Sequence, residues 1–137
     1  MNFEILDHTA DIGIRAWGET LAALFENAAL AVESVGVEME HVQQRSAYPM
    51  SATGEDRESL LVNWLNEIVY YVDGRRLVMS RFQVNSLTEK HVAALGWGEP
   101  RDAARHPPRI VVKAATYHQL RIYQNSDGWV AEVYLDI

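Results

Sequence analysis

Between Leu21 and Val35 the apolar residues Leu21, Leu24, Phe25, Ala28, Val32 and Val35 recur at i, i+3, i+4, i+7, i+11 and i+14. Residues so spaced line one side of an α-helix, and such a stripe persists in water only when another element covers it. Thr20 offers a hydroxyl to cap the first turn and Gly36 a stop after the last. A second stretch, from about Asp56 to Val72, repeats the arrangement with Leu60, Leu61, Trp64, Leu65, Ile68 and Val72, and Asp73-Gly74 ends it. The remaining chain must therefore supply a surface for two one-sided helices.

That surface reads as β. Residues 3–7 and 12–17 predict two short strands joined through HTAD, and 77–84 and 88–96 a strand pair. Stretches 110–117, 119–124 and 129–135 are β-rich, with NSDG between the last two, so the C-terminal half reads as a meander. The polar segment VEMEHVQQRSAYPMSATG, with its proline, suits one or two edge strands. GWGEPRDAARHPPR, 96–109, carries three prolines and two glycines without apolar period and reads as a long exposed loop. The expected architecture is an α+β single domain spanning 1–137, two helices packed on a mostly antiparallel sheet.

Composition removes several classes of function. With no cysteine there is neither a disulfide nor a thiolate zinc site, and a metal could draw only on oxygen and imidazole. Twelve Lys and Arg against 19 Asp and Glu leave a net charge of -7, which argues against a stand-alone nucleic-acid binder and leaves RNA binding only local or borrowed from a partner. No 18-residue apolar run and no basic leader occur, so a cytoplasmic protein without a membrane partner is expected. The signatures G-x-S-x-G, H-E-x-x-H, G-x-x-x-x-G-K-[ST] and G-x-G-x-x-G are all absent, which disfavours a familiar enzyme.

What remains is a concentration of acids. DHTADIG crowds Asp7, His8, Thr9 and Asp11, and the sequence closes on Asp136 and Ile137. If Asp11, Asp136 and the Ile137 carboxylate met at about 5 Å, each pair would repel by roughly 3 kcal/mol at an effective dielectric near 20, against about 0.8 kcal/mol in bulk water. Burial would then demand a neutraliser, either a hard cation such as Ca²⁺, Mg²⁺ or Mn²⁺ or the strand lysine Lys113. Solvated turn carboxylates, or an Asx-turn at Asp7 or Asp11, are the alternative. His8 and His118, lone histidines beside strand residues, are of a kind more often hydrogen-bonded structural side chains than ligands or bases. Arg101, Arg105, His106 and Arg109 form either a phosphate-contacting patch or a solvated loop, and Glu67 reads as helix surface.

DHTADIGIRAWGETLAALFENAALAV, ESLLVNWLNEIVYYVD, SRF, KAATYH and GWVAEVYLDI, in this order, resemble the archease family over nearly the whole chain. The departures are the polar segment 37–52 and the loop, which keeps only an E-x-x-D-x-x-R-H-x-P outline. The resemblance implies an accessory factor of the RtcB-type RNA ligase of tRNA splicing and RNA repair, not an enzyme. It implies faster ligase guanylylation and multiple turnover, with RNA met only indirectly. It also implies a divalent metal ion, calcium foremost with magnesium or manganese as alternatives, at Asp11, Asp136 and Ile137. Lys113 is the family's strand lysine, and Asp7, His8 and His118 fall within the motifs as further ligase-activation residues. A stand-alone metal-dependent phosphoester hydrolase, with His118 as acid or base, and a general protein chaperone are the competing readings.

Overall fold

The computed structural model describes residues 2–7 and 11–137, with Asp7 described by its backbone alone. In chain order the elements are β1 (Phe3–Asp7), β2 (Ile12–Gly18), α1 (Leu21–Gly36), β3 (Ser46–Thr53), α2 (Arg57–Val69), β4 (Leu77–Leu87), β5 (His91–Pro100), β6 (Ala114–Ala115), β7 (Arg121–Asn125) and β8 (Gly128–Asp136). They form an α+β fold in which two helices pack against two antiparallel sheets. One sheet has the order β1-β2-β8-β6, with β7 also on β8, and the other the order β3-β5-β4.

Both helices begin as their sequences dictate. Thr20 Oγ1 accepts from the Ala23 N–H at 3.1 Å, and Asp56 exchanges bonds with Ser59 in a capping box. The apolar stripes face inward: Leu24, Phe25, Ala28, Leu61, Trp64, Leu65 and Ile68 are all buried. Buried Trp64 donates its indole N–H to the Phe25 carbonyl at 3.0 Å, joining the helices, and meets Phe82 edge-on at 6.1 Å. Alternate residues of β2 and β8, Ile12, Ile14, Ala16, Ala131, Val133 and Leu135, supply the core face of the larger sheet.

Two helix acids do something the periodicity does not announce. Glu26 and Glu33, two turns apart on α1, accept the N–H groups of Val84 and Met79 at 2.7 and 3.2 Å. Those residues lie on β4, an edge strand beside its two register irregularities. The carboxyls therefore occupy donors that a bare edge would offer to another chain.

Four expectations change. β6 is only Ala114–Ala115 where 110–117 was expected, because Arg109 to Val112 run as a strap over the helix ends. The C-terminal half is no meander: β8 lies between β2 on one side and β6 and β7 on the other. The long loop is shorter and less exposed than its composition suggests, since β5 continues to Pro100 and both Glu99 and His106 are buried. Helix α2 ends at Val69 and passes into a π turn, Tyr70–Gly74, slightly before the expected Val72.

Candidate functional site

Strand register gathers the acidic stretches. β2 and β8 lie side by side with Ile12 opposite Leu135, so the next residue outward is Asp11 on one and Asp136 on the other. β1 brings the Asp7 backbone opposite Ile12 on the other edge of β2. β6 sets Ala114 opposite Asp136, and the Lys113 N–H donates to the Asp136 carbonyl at 2.8 Å. Parts of the chain more than 100 residues apart thus share one end of the larger sheet.

The members differ in their surroundings. Asp11 is half-buried, with one carboxylate oxygen shielded from solvent, whereas Lys113, Asp136 and Ile137 are exposed. His118 lies on the turn after β6, and its ring meets Tyr134 edge-on at 6.1 Å. Gly13 stands opposite Tyr134, and a Cβ there would lie 2.9 Å from the tyrosine ring, so glycine permits the ring to cross the strand. The expected roles of the Asp7 side chain and of His8 fall outside the described residues.

Asn66 of α2 is the residue that sequence reasoning missed. Its Oδ1 accepts the Ala115 N–H at 2.7 Å and its Nδ2 donates to the Ala115 carbonyl at 3.3 Å. With β8 on one edge and this amide on the other, a two-residue strand is fixed, and with it the backbone of Lys113. A polar amide directly after the buried stripe residues Trp64 and Leu65 was the available signal.

The chain matches, over residues 3–137, the family described as the Archease protein family (MTH1598/TM1083). It belongs to the archease family. "Protein archease" of Methanosarcina mazei is 40% identical over 139 residues, covering 98% of this chain and 95% of that relative. The solution structure of Methanobacterium thermoautotrophicum protein 1598 superposes with a TM-score of 0.83 at 33% identity, covering 99% of each chain. A crystal structure of an archease from Thermotoga maritima, named there a possible chaperone, shares the fold with a TM-score of 0.67 at 16% identity and covers 96% and 94% of the two chains.

Within this archease fold the described side chains at the sheet end are the carboxylates of Asp11 and Asp136, the kind of oxygen donor a hard cation takes, with Lys113 beside Asp136 and the His118 ring against Tyr134. Among the described residues no three His, Asp or Glu side chains cluster closely enough to form a metal cage. Asp11 and Asp136 with the Ile137 carboxylate would be the holders of a cation there.

The arginine loop is built for packing. Glu99 accepts from the Gln43 N–H and Arg105 at 2.9 Å each, pairs with Arg45 at 3.3 Å, and faces His106 Nε2 at 3.0 Å. His106 Nδ1 accepts the Asp102 N–H at 2.9 Å, which leaves Nε2 as the donor toward Glu99. Burial works to raise the Glu99 pKa, but the Gln43, Arg105 and His106 bonds outweigh it and hold the carboxyl below its usual range. Arg101 donates to the carbonyls of Gly36, His106 and Pro107, and Arg109 to that of Ser34, so both serve the carbonyl end of α1 rather than an open phosphate patch. Glu67 is half-exposed in a shallow hollow with Ser51, Thr53, Asn63 and Asn66.

Proposed function

We propose that this protein activates an RtcB-type RNA ligase, promoting its guanylylation and multiple turnover in tRNA splicing or RNA repair. It acts as an accessory factor, holding a divalent cation, calcium foremost, on Asp11, Asp136 and the Ile137 carboxylate, with Lys113 beside them. One observation carries the reading: in the register Asp11 follows on opposite Asp136 while the Lys113 N–H donates to the Asp136 carbonyl, so an acid pair and an exposed lysine share one sheet end. A net charge of -7 favours approach to RNA through a partner rather than directly.

The test is a guanylylation assay with purified ligase, in defined metal, with and without this chain. Asp11→Ala and Lys113→Ala should keep the parent's circular dichroism and melting temperature within about 2 °C, since neither side chain is in the core. Both should lose stimulation of ligase turnover. Full stimulation by folded Asp11→Ala overturns the metal-bearing site, and no stimulation by the parent chain overturns the proposed partner. Equal suppression of aggregation for unrelated proteins, with no effect on the ligase, would instead support a general chaperone.

A further inference from the structure

A second candidate site lies where the C-terminal ends of α1 and α2 meet beneath the strap. Here the structure encloses a cavity of about 80 Å³ with walls of Val32, Val69, Val72 and Val112. Arg76, Arg101 and Arg109 also line it, with Asp73 the one acidic residue of the lining and Glu33 acting on Arg101 from the core. On a chain of net charge -7 this is a local reversal of sign.

The three arginines are not equivalent. Arg101 and Arg109 are engaged with helix and strap carbonyls. Arg76 is exposed and makes no side-chain hydrogen bond or ion pair among the described residues. Its backbone has φ 57, a left-handed conformation rare for a side chain of this size, and its carbonyl accepts the Arg101 N–H at 2.8 Å. That bond keeps the two arginines adjacent, and burial first, with Arg76 second, lowers the Arg101 pKa. Adjacent guanidinium groups at the mouth of an apolar hollow repel each other, and an anion between them removes the repulsion.

We propose that this cavity binds a short branched aliphatic carboxylate, its alkyl group among the valines and its carboxylate on Arg76 and Arg101. Size sets the class: an engineered cavity of about 150 Å³ accepts benzene, so roughly half that room suits a three- or four-carbon branched group and not an aromatic ring. Such a carboxylate is found on free branched-chain acids and at a polypeptide ending in Val, Leu or Ile. In the second case the exposed Ile110 and Val111 on the strap would meet the preceding residues.

The test is an NMR amide titration of the full chain with isovalerate. Saturable shifts are expected at Val72, Arg76 and Val112, with isopentanol, which lacks the charge, and acetate, which lacks the alkyl group, each about tenfold weaker. The tripeptide Gly-Gly-Leu separates the sources: tighter binding than isovalerate assigns a chain terminus, weaker binding a free acid. Arg76→Gly accepts the left-handed φ and should preserve the spectrum elsewhere while weakening isovalerate about tenfold. Unsaturable shifts, acetate binding as tightly as isovalerate, or Arg76→Gly binding like the parent would overturn the proposal.

Discussion

Replacing Asn66 by alanine should separate local order at the acidic end from the stability of the core. Asn66 makes two hydrogen bonds to one residue, at 2.7 and 3.3 Å, and β6 contains only Ala114 and Ala115. Each such bond contributes about 1 kcal/mol net, and the shorter one leaves a partly buried N–H without its acceptor when lost, so the total cost is roughly 2–3 kcal/mol. For a domain of this size that lowers the melting temperature by about 6–10 °C. Hydrogen exchange locates the effect: the Ala115 amide should lose protection by more than the amides of Ile14 and Val133, whose strands Asn66 does not touch. Asn66→Asp keeps the acceptor for the Ala115 N–H and removes the donor to its carbonyl, so it should fall between parent and alanine. Unchanged Ala115 exchange in Asn66→Ala, or an equal loss across β2 and β8, would refute the view that this amide fastens β6.

Glu33 is buried, one of its oxygens has no hydrogen-bond partner among the described residues, and burial raises its pKa well above normal against the opposing Met79 bond and Arg101 charge. Its folded form holds a proton that the unfolded chain releases, so stability should fall as pH rises from the unfolded carboxyl range toward the folded value; Glu33→Gln should flatten this slope in urea denaturation. Glu99 has the opposite sign: its lowered pKa gives stability that is complete above the unfolded value and is lost as pH falls through the folded one. Glu99→Ala should cost about 3 kcal/mol near neutral pH, and less in acid, because Arg105 and His106 lose a buried partner; a pH-independent penalty in the same urea series would count against that reading. Gly98→Ala should cost ~4 kcal/mol or more, because a Cβ there would lie 1.8 Å from the Val78 carbonyl oxygen on the neighbouring strand; a thermal melt within 3 °C of the parent would contradict this.

Local chemistry made much of this fold legible. The helical stripes, the cap at Thr20, and the β1, β2 and β8 segments depend on neighbours a few residues away, and side-chain period alone decides which faces are buried. The acidic motif stood out at both ends, and its resemblance to the archease family followed from the residues themselves. The strap misled because Val111 and Val112 favour a strand while the helix-end carbonyls compete for Arg101 and Arg109 nearby. His106 misled because a histidine among prolines and arginines reads as exposed, yet Glu99 and the Asp102 N–H hold its ring in the interior.

The sequence by itself determined which segments fold as helix or strand and which residues could offer oxygen to a cation, since both follow from local bonding and side-chain type. Only tertiary structure decided that Asp11 borders Asp136, that Asn66 closes on Ala115, and that Glu26 and Glu33 occupy the edge of β4. Those pairings join residues up to about 125 positions apart. Nothing in local spacing specifies such partners: they arise when two sheets and two helices bury one core, and strand register then determines which polar groups are left facing one another.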